Sequence, residues 1–267
     1  MPRPSTAELH RYAIDLAREA GALAHGYFKR RETLTINDKG LQDMASEADL
    51  NTELLIRERL RRDFPGDAFL GEETGITDHV PGQGIWVVDP IDGTQPFVSG
   101  LSAWCVSIAY VRDGKLELGA VNAPARDELF AGAQGIPATL NGKPVTPNPS
   151  TTIRKGIVGV GHSPRVAPER LLALLRPFLE AGGMYFREGS GALAICYVAC
   201  GRLVGFIEAQ INSWDCLGAL AVAQAAGLRS NDFLAGEGLR KGGPLLVGNE
   251  PVYAELEAIH RRSGHSG

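Results

Sequence analysis

Acidic residues stand at the ends of three apolar, strand-like runs in the sequence. The runs are "FLGEE" with Glu72 and Glu73, "WVVDPID" with Asp89 and Asp92, and "INSWDC" with Asp215. Strand ends hold side chains in defined directions, so carboxylates placed there can converge on one point. Converging carboxylates repel one another unless they are protonated or bound to a cation, and oxygen ligands suit Mg²⁺, or Mn²⁺, better than zinc. The pattern predicts a site for a hard divalent cation.

The turn that carries two of these carboxylates suits phosphate chemistry. Pro90 fixes the backbone, so that the carbonyl of Ile91 and the carboxylate of Asp92 can face the same way as Asp89. Gly93 lets the backbone approach a ligand, and free N–H groups at a helix start there would attract an anion. Because protein-bound magnesium often also contacts substrate phosphate, the sequence favours a shared metal and phosphate site.

Each acidic segment also has a simpler interpretation. An isolated Asp-Pro-x-Asp is typical of a solvated turn. Glu72 and Glu73 are also typical of an exposed helix start, and Asp215 of a helix N-cap. These alternatives stay open for each segment alone, but three segments with the same order of strand and carboxylate favour one common site.

Composition argues against two classes of partner. The chain has 267 residues, 22% of them charged, and a formal net charge of -4, so it lacks the basic surface that nucleic-acid binding requires. No run approaches the roughly 18 apolar residues that a membrane span needs. We therefore predict no nucleic-acid partner, no membrane span and a cytoplasmic location. The four cysteines have no zinc-type spacing and are interpreted as free, mostly buried thiols.

The N-terminal part of the sequence predicts two helices followed by a run of strands. Ser5 and Glu8 have capping-box spacing at the start of the first helix, and Ser46 and Asp49 repeat it at the second, which Pro65 helps to end. Between the helices lies a polar segment that we interpret as a hairpin or a loop. Short strands with tight-turn signals then predict an antiparallel meander.

A loop over residues 146–152, with two prolines and small polar residues, is the predicted boundary between two parts of the chain. The first part is 1–148 and the second is 149–267. In the second part strand and helix patterns alternate, and a final helix begins near Pro251.

The segments "GEET", "WVVDPIDGT" and "WDCLGALAVAQAAG" resemble the three signature regions of the inositol monophosphatase family of magnesium-dependent phosphatases. The resemblance covers nearly the whole chain in order and spacing. It implies an α/β (α+β) fold, a layered αβαβα sandwich of the type shared with fructose-1,6-bisphosphatase, and a homodimer. It also implies that residues 1–148 supply most metal ligands and residues 149–267 supply Asp215 and most of the substrate pocket.

The resemblance assigns metal ligands by position. It implies that Glu72, Asp89 and the carbonyl of Ile91 bind one Mg²⁺. Asp92 and Asp215 would bind a second ion that Asp89 bridges, with a third, weaker ion possible. The implied chemistry is hydrolysis by metal-activated water, without a phosphoenzyme.

The resemblance also assigns catalytic and phosphate-binding residues. Glu73 and Thr94 would orient and deprotonate the attacking water, and Asp49 would act close to the metals. The backbone N–H groups of Gly93 and Thr94 would hold the phosphate.

For the substrate pocket, the resemblance points to the segment "REGSGALA" and to a glutamate seven residues before Trp-Asp. The candidate residues are Arg187, Gly189, Ser190, Gly191 and Glu208. Glu208 would accept hydrogen bonds from polyol hydroxyls and Arg187 would steer an anion. A surface glutamate at a strand end and an unrelated surface arginine are the alternatives.

Three positions differ from the family pattern as we expect it: Pro96, Ser46 and Leu217. Each is expected to touch a residue that supports the site. The leading hypothesis is a phosphomonoesterase for a small polyol phosphate, most simply inositol monophosphate. The alternatives are a histidinol-phosphate phosphatase, another small-metabolite phosphatase of the same family, and a non-catalytic protein that binds metal and phosphate.

Overall fold

Layers of helices and two β-sheets alternate in the fold. The computed structural model describes residues 4–34, 36–40, 43–77, 79–80, 82–163 and 166–264. An outer layer of two helices packs on an eight-stranded sheet. A central helix pair separates that sheet from a five-stranded sheet, which two further helices cover. The predicted αβαβα sandwich is confirmed.

The first outer layer consists of α1 (Thr6–Lys29) and α2 (Glu47–Asp63). Both predicted capping boxes form: Ser5 with Glu8, and Ser46 with Asp49. The segment between the helices contains the antiparallel pair β1 (Ile36–Gly40) and β2 (Asp43–Ser46), which confirms the hairpin interpretation. The connecting residues 41–42 lie outside the described residues.

The eight-stranded sheet follows the predicted meander from β5 to β10. Only β3 and β5 pair in parallel among its described strands. A short helix, α3 (Thr94–Val98), follows β5 directly. The strands are β3 (Ala68–Gly71), β4 (Gly75–Ile76), β5 (Gly84–Asp92), β6 (Cys105–Arg112), β7 (Lys115–Ala123), β8 (Glu128–Ala133), β9 (Ile136–Leu140) and β10 (Lys143–Pro144).

The five-stranded sheet has the order β12, β11, β13, β15, β14. The first three of these pair in parallel and the rest are antiparallel. Its strands are β11 (Ile157–Val160), β12 (Met184–Phe186), β13 (Gly205–Ile211), β14 (Arg229–Ser230) and β15 (Gly243–Gly248). The remaining helices are α4 (Pro168–Glu180), α5 (Gly191–Ala199), α6 (Ser213–Ala225), α7 (Gly238–Lys241) and α8 (Glu250–Arg262).

Burial on both faces explains the apolar run of β5. Ile85 and Val87 pack toward the central helices, whereas Trp86 and Val88 pack toward α1 and α2. Successive side chains of a strand point to opposite faces, so a strand between two helix layers is apolar throughout. The same reasoning explains α5, which lies between the two sheets and is buried from Ala192 to Ala199.

One hydrophobic cluster joins the two sheets through α5 and α6. It includes Phe130 from the large sheet, Leu193 and Leu217 from the central helices, and Phe206 from the small sheet. The two-part division at residues 148 and 149 stays a prediction. Over the described residues, no helix is both long and apolar enough to cross a lipid bilayer.

Candidate active site

Three carboxylates from separate parts of the chain converge in the structure. Glu72 lies in the turn after β3, Asp89 lies on β5, and Asp215 lies in the first turn of α6. One oxygen atom of each side chain lies within 4.8 Å of the others. The ends of two neighbouring parallel strands and one helix start therefore bring together residues that are up to 143 positions apart (215 − 72).

The electrostatics of this group call for a cation. Burial, followed by the carboxylates of Glu72, Asp92 and Asp215, raises the pKa of Asp89 well above its usual range. Asp89 and Asp215 are close enough to share a hydrogen bond, which requires a proton on one of them. An all-carboxylate donor set that cannot ionise fully by itself fits a hard divalent cation.

Asp92 lies beside this group but faces α5. Its Oδ2 accepts hydrogen bonds from Ser190 Oγ at 2.5 Å and from the backbone N–H of Ala192 at 2.7 Å. Burial, followed by the charge of Asp215, raises the pKa of Asp92 to about 7, although these hydrogen bonds act in the opposite direction. Asp92 therefore links β5 to the start of α5.

Thr94 connects a second buried carboxylate to the same turn. Its hydroxyl lies 3.1 Å from Asp49 Oδ1 and 3.2 Å from the carbonyl oxygen of Ile91, and it can donate its one hydrogen to either acceptor. Burial raises the pKa of Asp49 to about 6. Hydrogen bonds from Ser46 act to lower this pKa, whereas the charge of Glu73 acts to raise it. Asp49, Glu73 and Thr94 are thus near neighbours, as the catalytic assignment requires.

Gly93 has a backbone conformation that favours glycine. Its φ angle is 96°, and a Cβ atom there would lie 2.5 Å from the carbonyl oxygen of Ala103. Side chains are strained at such φ values, and this one would also collide with backbone. The turn of β5 into α3 therefore requires Gly93.

A cleft of about 190 Å³ opens above these carboxylates. We call Glu72, Asp89, Asp92 and Asp215 the cleft floor, with Gly93 and Thr94 beside it. We call residues 187–191 together with Glu208 the cleft wall. All of these except Asp89 line the cleft directly, and Asp89 lies within the carboxylate group beneath it.

The cleft wall carries charges of both signs. Glu208 on β13 is only 6% exposed, and burial, followed by the charges of Asp215 and Asp92, raises its pKa well above the usual range. Arg187 is exposed, acts in the opposite direction on that pKa, and donates a hydrogen bond to the carbonyl of His162 at 3.3 Å. The carboxylate of Glu208 is therefore a buried hydrogen-bond acceptor, and the guanidinium of Arg187 lies nearer the surface of the cleft.

Comparison with known proteins identifies the family of the chain. A sequence model of the inositol monophosphatase family matches residues 5–262. The chain belongs to this family. It is 32% identical over 251 residues to an inositol-1-monophosphatase of Mesorhizobium japonicum, covering 93% of this chain and 94% of that protein. It is 33% identical over 248 residues to the Nus factor SuhB of Haemophilus influenzae, covering 91% and 92%.

Solved structures of the family show the same fold. The extragenic suppressor protein suhB of Bartonella henselae superposes with a TM-score of 0.84 at 28% identity, covering 92% of this chain and 95% of that one. The inositol monophosphatase of Anabaena gives a TM-score of 0.82 at 27% identity, with 96% of each chain covered. The similarity in fold therefore extends over most of the chain.

Sequence reasoning missed Glu53, which supports the cleft floor. Its carboxylate is fully buried and accepts hydrogen bonds from the backbone N–H groups of Glu73 at 2.8 Å and Thr74 at 2.7 Å. A Cβ atom at residue 71 would lie 2.4 Å from this carboxylate, which explains Gly71. The available signal was spacing, because Glu53 follows Asp49 by four residues and so shares its helix face.

The three departures from the expected family pattern have clear places. Ser46 donates a hydrogen bond to Asp49 Oδ2 at 2.7 Å, so the hydroxyl serves as the support expected there. Pro96 packs on the cleft wall, since a Cβ atom on Gly189 would lie 2.8 Å from its Cγ atom. Leu217 is completely buried in the cluster that joins the sheets.

Proposed function

We propose that this protein is a Mg²⁺-dependent phosphomonoesterase that hydrolyses a small polyol phosphate, with inositol monophosphate as the leading substrate. The observation that carries the proposal is the group formed by Glu72, Asp89 and Asp215 beneath a cleft. Family membership and an inositol-1-monophosphatase among its relatives support the same activity.

The cleft floor holds the metal in this proposal. Glu72, Asp89 and Asp215 offer carboxylate oxygens at one point, and the remaining oxygen of Asp92 and the carbonyl of Ile91 lie on the same turn. Bound Mg²⁺, or Mn²⁺, would supply Lewis-acid neutralisation of phosphate charge and would lower the pKa of the attacking water. These five residues are the ligands that we propose.

Thr94 and Asp49 form a path for the proton of that water. While Thr94 directs its hydroxyl hydrogen to Asp49, its oxygen lone pairs are available to accept a hydrogen bond from water. Burial has already raised the proton affinity of Asp49, so it can receive the proton that Thr94 passes on. Glu73, close to Asp49, is the second group that orients the water.

The cleft wall binds the part of the substrate that leaves. Glu208 is buried and acceptor-rich, so it suits the hydroxyl groups of a polyol. Arg187 is exposed at the same cleft and suits electrostatic attraction of the phosphate. Gly189, Ser190 and Gly191 complete this side, while Gly93 and Thr94 offer backbone N–H groups to the phosphate.

Histidinol phosphate is the second candidate substrate. The observation that favours it is the buried carboxylate of Glu208 near Asp215 and Asp92, because a cationic amino group there would relieve the repulsion among them. A polyol would instead take hydrogen bonds from Glu208 without adding positive charge.

A substrate panel tests the proposal and separates these candidates. Phosphate release from inositol 1-phosphate, histidinol phosphate, fructose 1,6-bisphosphate and 3'-phosphoadenosine 5'-phosphate is measured with Mg²⁺, with Mn²⁺ and with EDTA. We expect release that requires the metal and a highest kcat/KM for inositol 1-phosphate. If calorimetry shows that these phosphates bind but none of them is hydrolysed, the protein is a non-catalytic binding protein and the proposed activity is wrong.

We also propose a homodimer. Met184, Tyr185 and Phe186 of the edge strand β12 are 63%, 48% and 43% exposed, and an apolar edge strand is a surface that a second copy of the chain can cover. Light scattering at micromolar concentration should give twice the mass of the chain. Tyr185→Lys should shift it toward the monomer, whereas Leu172→Lys on α4 should not. A monomeric wild type would rule the dimer out.

The cytoplasmic location and the absence of a nucleic-acid partner stay predictions. Some relatives are named Nus factor, and we apply that name to those proteins and not to this chain. Gel-shift measurements with RNA and DNA at physiological salt test this point, and we expect no retarded species because the net charge is negative.

A further inference from the structure

Charged side chains from both parts of the chain meet behind the cleft wall. Arg126 lies between β7 and β8 and forms an ion pair with Glu188, with 2.5 Å between Nη1 and Oε1. The same Nη1 donates a hydrogen bond to the hydroxyl of Tyr197 on α5. Its Nε donates to Ser102 Oγ at 3.3 Å. Several elements therefore fix the guanidinium of Arg126.

The outer end of this network reaches the protein surface. The hydroxyl of Tyr197 donates a hydrogen bond to Glu128 Oε2 at 3.1 Å. Glu128 in turn pairs with Arg202 at 2.5 Å, and the side chain of Arg202 is 44% exposed. Arg202 thus belongs to the same network at the end remote from Glu188.

Glu188 is the member of the network that reaches the cleft. It lines the cleft, and its side chain is only 2% exposed, while that of Arg126 is 25% exposed. Removing one partner of a buried ion pair leaves an uncompensated charge and is strongly destabilising. Without Arg126, the buried carboxylate of Glu188 would be left without its positive partner directly behind the cleft wall.

The residues that follow Glu188 contact the cleft floor directly. Gly189 has a φ angle of 96° and packs against Pro96. Its carbonyl oxygen would lie 3.3 Å from a Cβ atom on Gly93, so the two turns touch. Ser190 then donates its hydroxyl hydrogen to Asp92. Residues 189 and 190, which follow Glu188 directly, therefore join the cleft wall to the turn that carries Asp92 and Gly93.

We propose that Arg126 is a positioning residue for the phosphatase site. It fixes Glu188, and through Glu188 the segment 187–191, and it neutralises a carboxylate that would otherwise repel the substrate. This inference rests on the proposed function, because it concerns the same cleft.

Kinetics of matched variants test the proposal. Arg126→Met should lower kcat/KM about 30-fold, mainly through a higher KM, because the wall is misplaced and Glu188 is unpaired. Arg126→Lys keeps the charge and should recover part of the loss. Arg126→Met/Glu188→Gln removes the unpaired charge but not the loss of positioning, so it should recover only part of the loss in KM, a non-additive result.

Arg202→Met is the control within the same network. It breaks the pair with Glu128 but leaves Glu188 paired, so kcat/KM should stay within about threefold of the wild type. An equal loss in Arg202→Met and Arg126→Met would overturn the proposal, and so would a double variant whose KM equals that of the wild type, because Arg126 would then not position the wall. Circular dichroism melts identify any variant that fails to fold.

Hydrogen exchange gives a second measurement that does not depend on activity. In metal-free protein, Arg126→Met should speed exchange of the amides of residues 189–193 by about 10-fold or more, because the segment opens locally more often. Exchange in β6 and β7 should not change, nor should Arg202→Met have this effect. Unchanged exchange at 189–193 in a folded Arg126→Met variant contradicts positioning by Arg126, whereas a wild type inactive on every phosphate contradicts the proposed function alone.

Discussion

The floor and the wall of the cleft hold their charges by different means. On the floor, Asp89 and Asp92 lie at the end of β5, a strand whose residues are all buried, and the charges there have one sign. On the wall, Glu188 belongs to a loop and is paired with Arg126 from the other part of the chain. The floor carboxylates repel one another until a cation binds, whereas Glu188 on the wall already has a positive partner within the protein.

This difference predicts how each region responds to mutation. In the proposed mechanism a floor carboxylate binds the metal, so losing one should abolish turnover while the fold persists. A wall residue contributes to binding and orientation, so its loss should change KM and the choice of substrate.

Asp92→Asn should have the largest effect. It keeps the shape and the hydrogen bond from Ser190 but removes the charge that the metal needs, so kcat should fall about 1,000-fold or more, as for loss of a group that stabilises transition-state charge. Phosphate release at saturating Mg²⁺ measures it. Asp113→Asn, in an exposed turn with φ 50° that Asn tolerates, is the control. Near wild-type turnover in Asp92→Asn would show that the mechanism is wrong.

Glu53→Ala should follow, although Glu53 does not line the cleft. Two backbone N–H groups at Glu73 and Thr74 lose their acceptor, so the turn that carries Glu72 and Glu73 loosens. We expect metal affinity or kcat to fall about 10- to 100-fold, the range for groups that orient metal ligands. Metal titration by calorimetry and steady-state kinetics check this.

Glu58→Ala is the matched control for that variant, since Glu58 is exposed on the same helix. It should behave as the wild type in both measurements. If Glu53→Ala binds Mg²⁺ as tightly as the control and turns over as fast, the turn is held by other contacts and the floor depends less on α2 than its hydrogen bonds indicate.

Glu208→Gln should have a moderate effect confined to the wall. The amide keeps one acceptor but loses the charge, so KM for a polyol phosphate should rise about 10-fold or less with a small change in kcat. For histidinol phosphate the loss should be larger, because the charge attraction disappears. A fall in kcat with unchanged KM would instead place Glu208 with the floor residues.

Metal-free protein should show the smallest effect, on stability. Folding raises the pKa of Asp49 from 3.8 to about 6 and that of Asp92 from 3.8 to about 7. The folded state therefore binds these protons more tightly than the unfolded state, so stability falls as pH rises from about 4 to about 7.

Melting curves in EDTA at pH 5 and pH 8 measure that fall, which should amount to several degrees because about 1 kcal/mol corresponds to 2–4 °C in a chain of this size. Mg²⁺ at pH 8 should recover the loss by binding the ionised floor. Asp89→Asn should reduce both the fall and the recovery. A metal-free melting temperature that rises steadily to pH 8 would contradict the repulsion on the floor.

Local patterns predicted much of the fold. The capping boxes at Ser5 and Ser46 placed the starts of α1 and α2, and the tight-turn signals placed the meander. Such features depend on neighbours in the sequence, which a reader of the sequence can see. Very short elements such as β4, β14 and α7 were missed, because two to four residues carry no periodic signal.

The candidate site divides in the same way. The motif around Asp89 and Asp92 indicated a metal site only together with the segments that carry Glu72 and Asp215, because three segments shared one order of strand and carboxylate. Glu53, Arg126 and Glu188 were not found, because each contacts a partner that is distant in sequence. Glu53 accepts hydrogen bonds from residues 73 and 74, and Arg126 and Glu188 pair with each other. No spacing rule reports a contact that only the packing of layers creates.

The residue types and their order along the chain were enough to predict the chemical groups, the family resemblance and the strand and helix that carry Asp89 and Asp215. The packing of the layers decided which oxygens meet, because convergence within 4.8 Å requires β3, β5 and α6 to lie at fixed distances. It also decided that Asp92 is bound to Ser190 and that Glu188 is neutralised by Arg126. Residue types are fixed along the chain, but distances, burial and therefore charge state are properties of the packed layers.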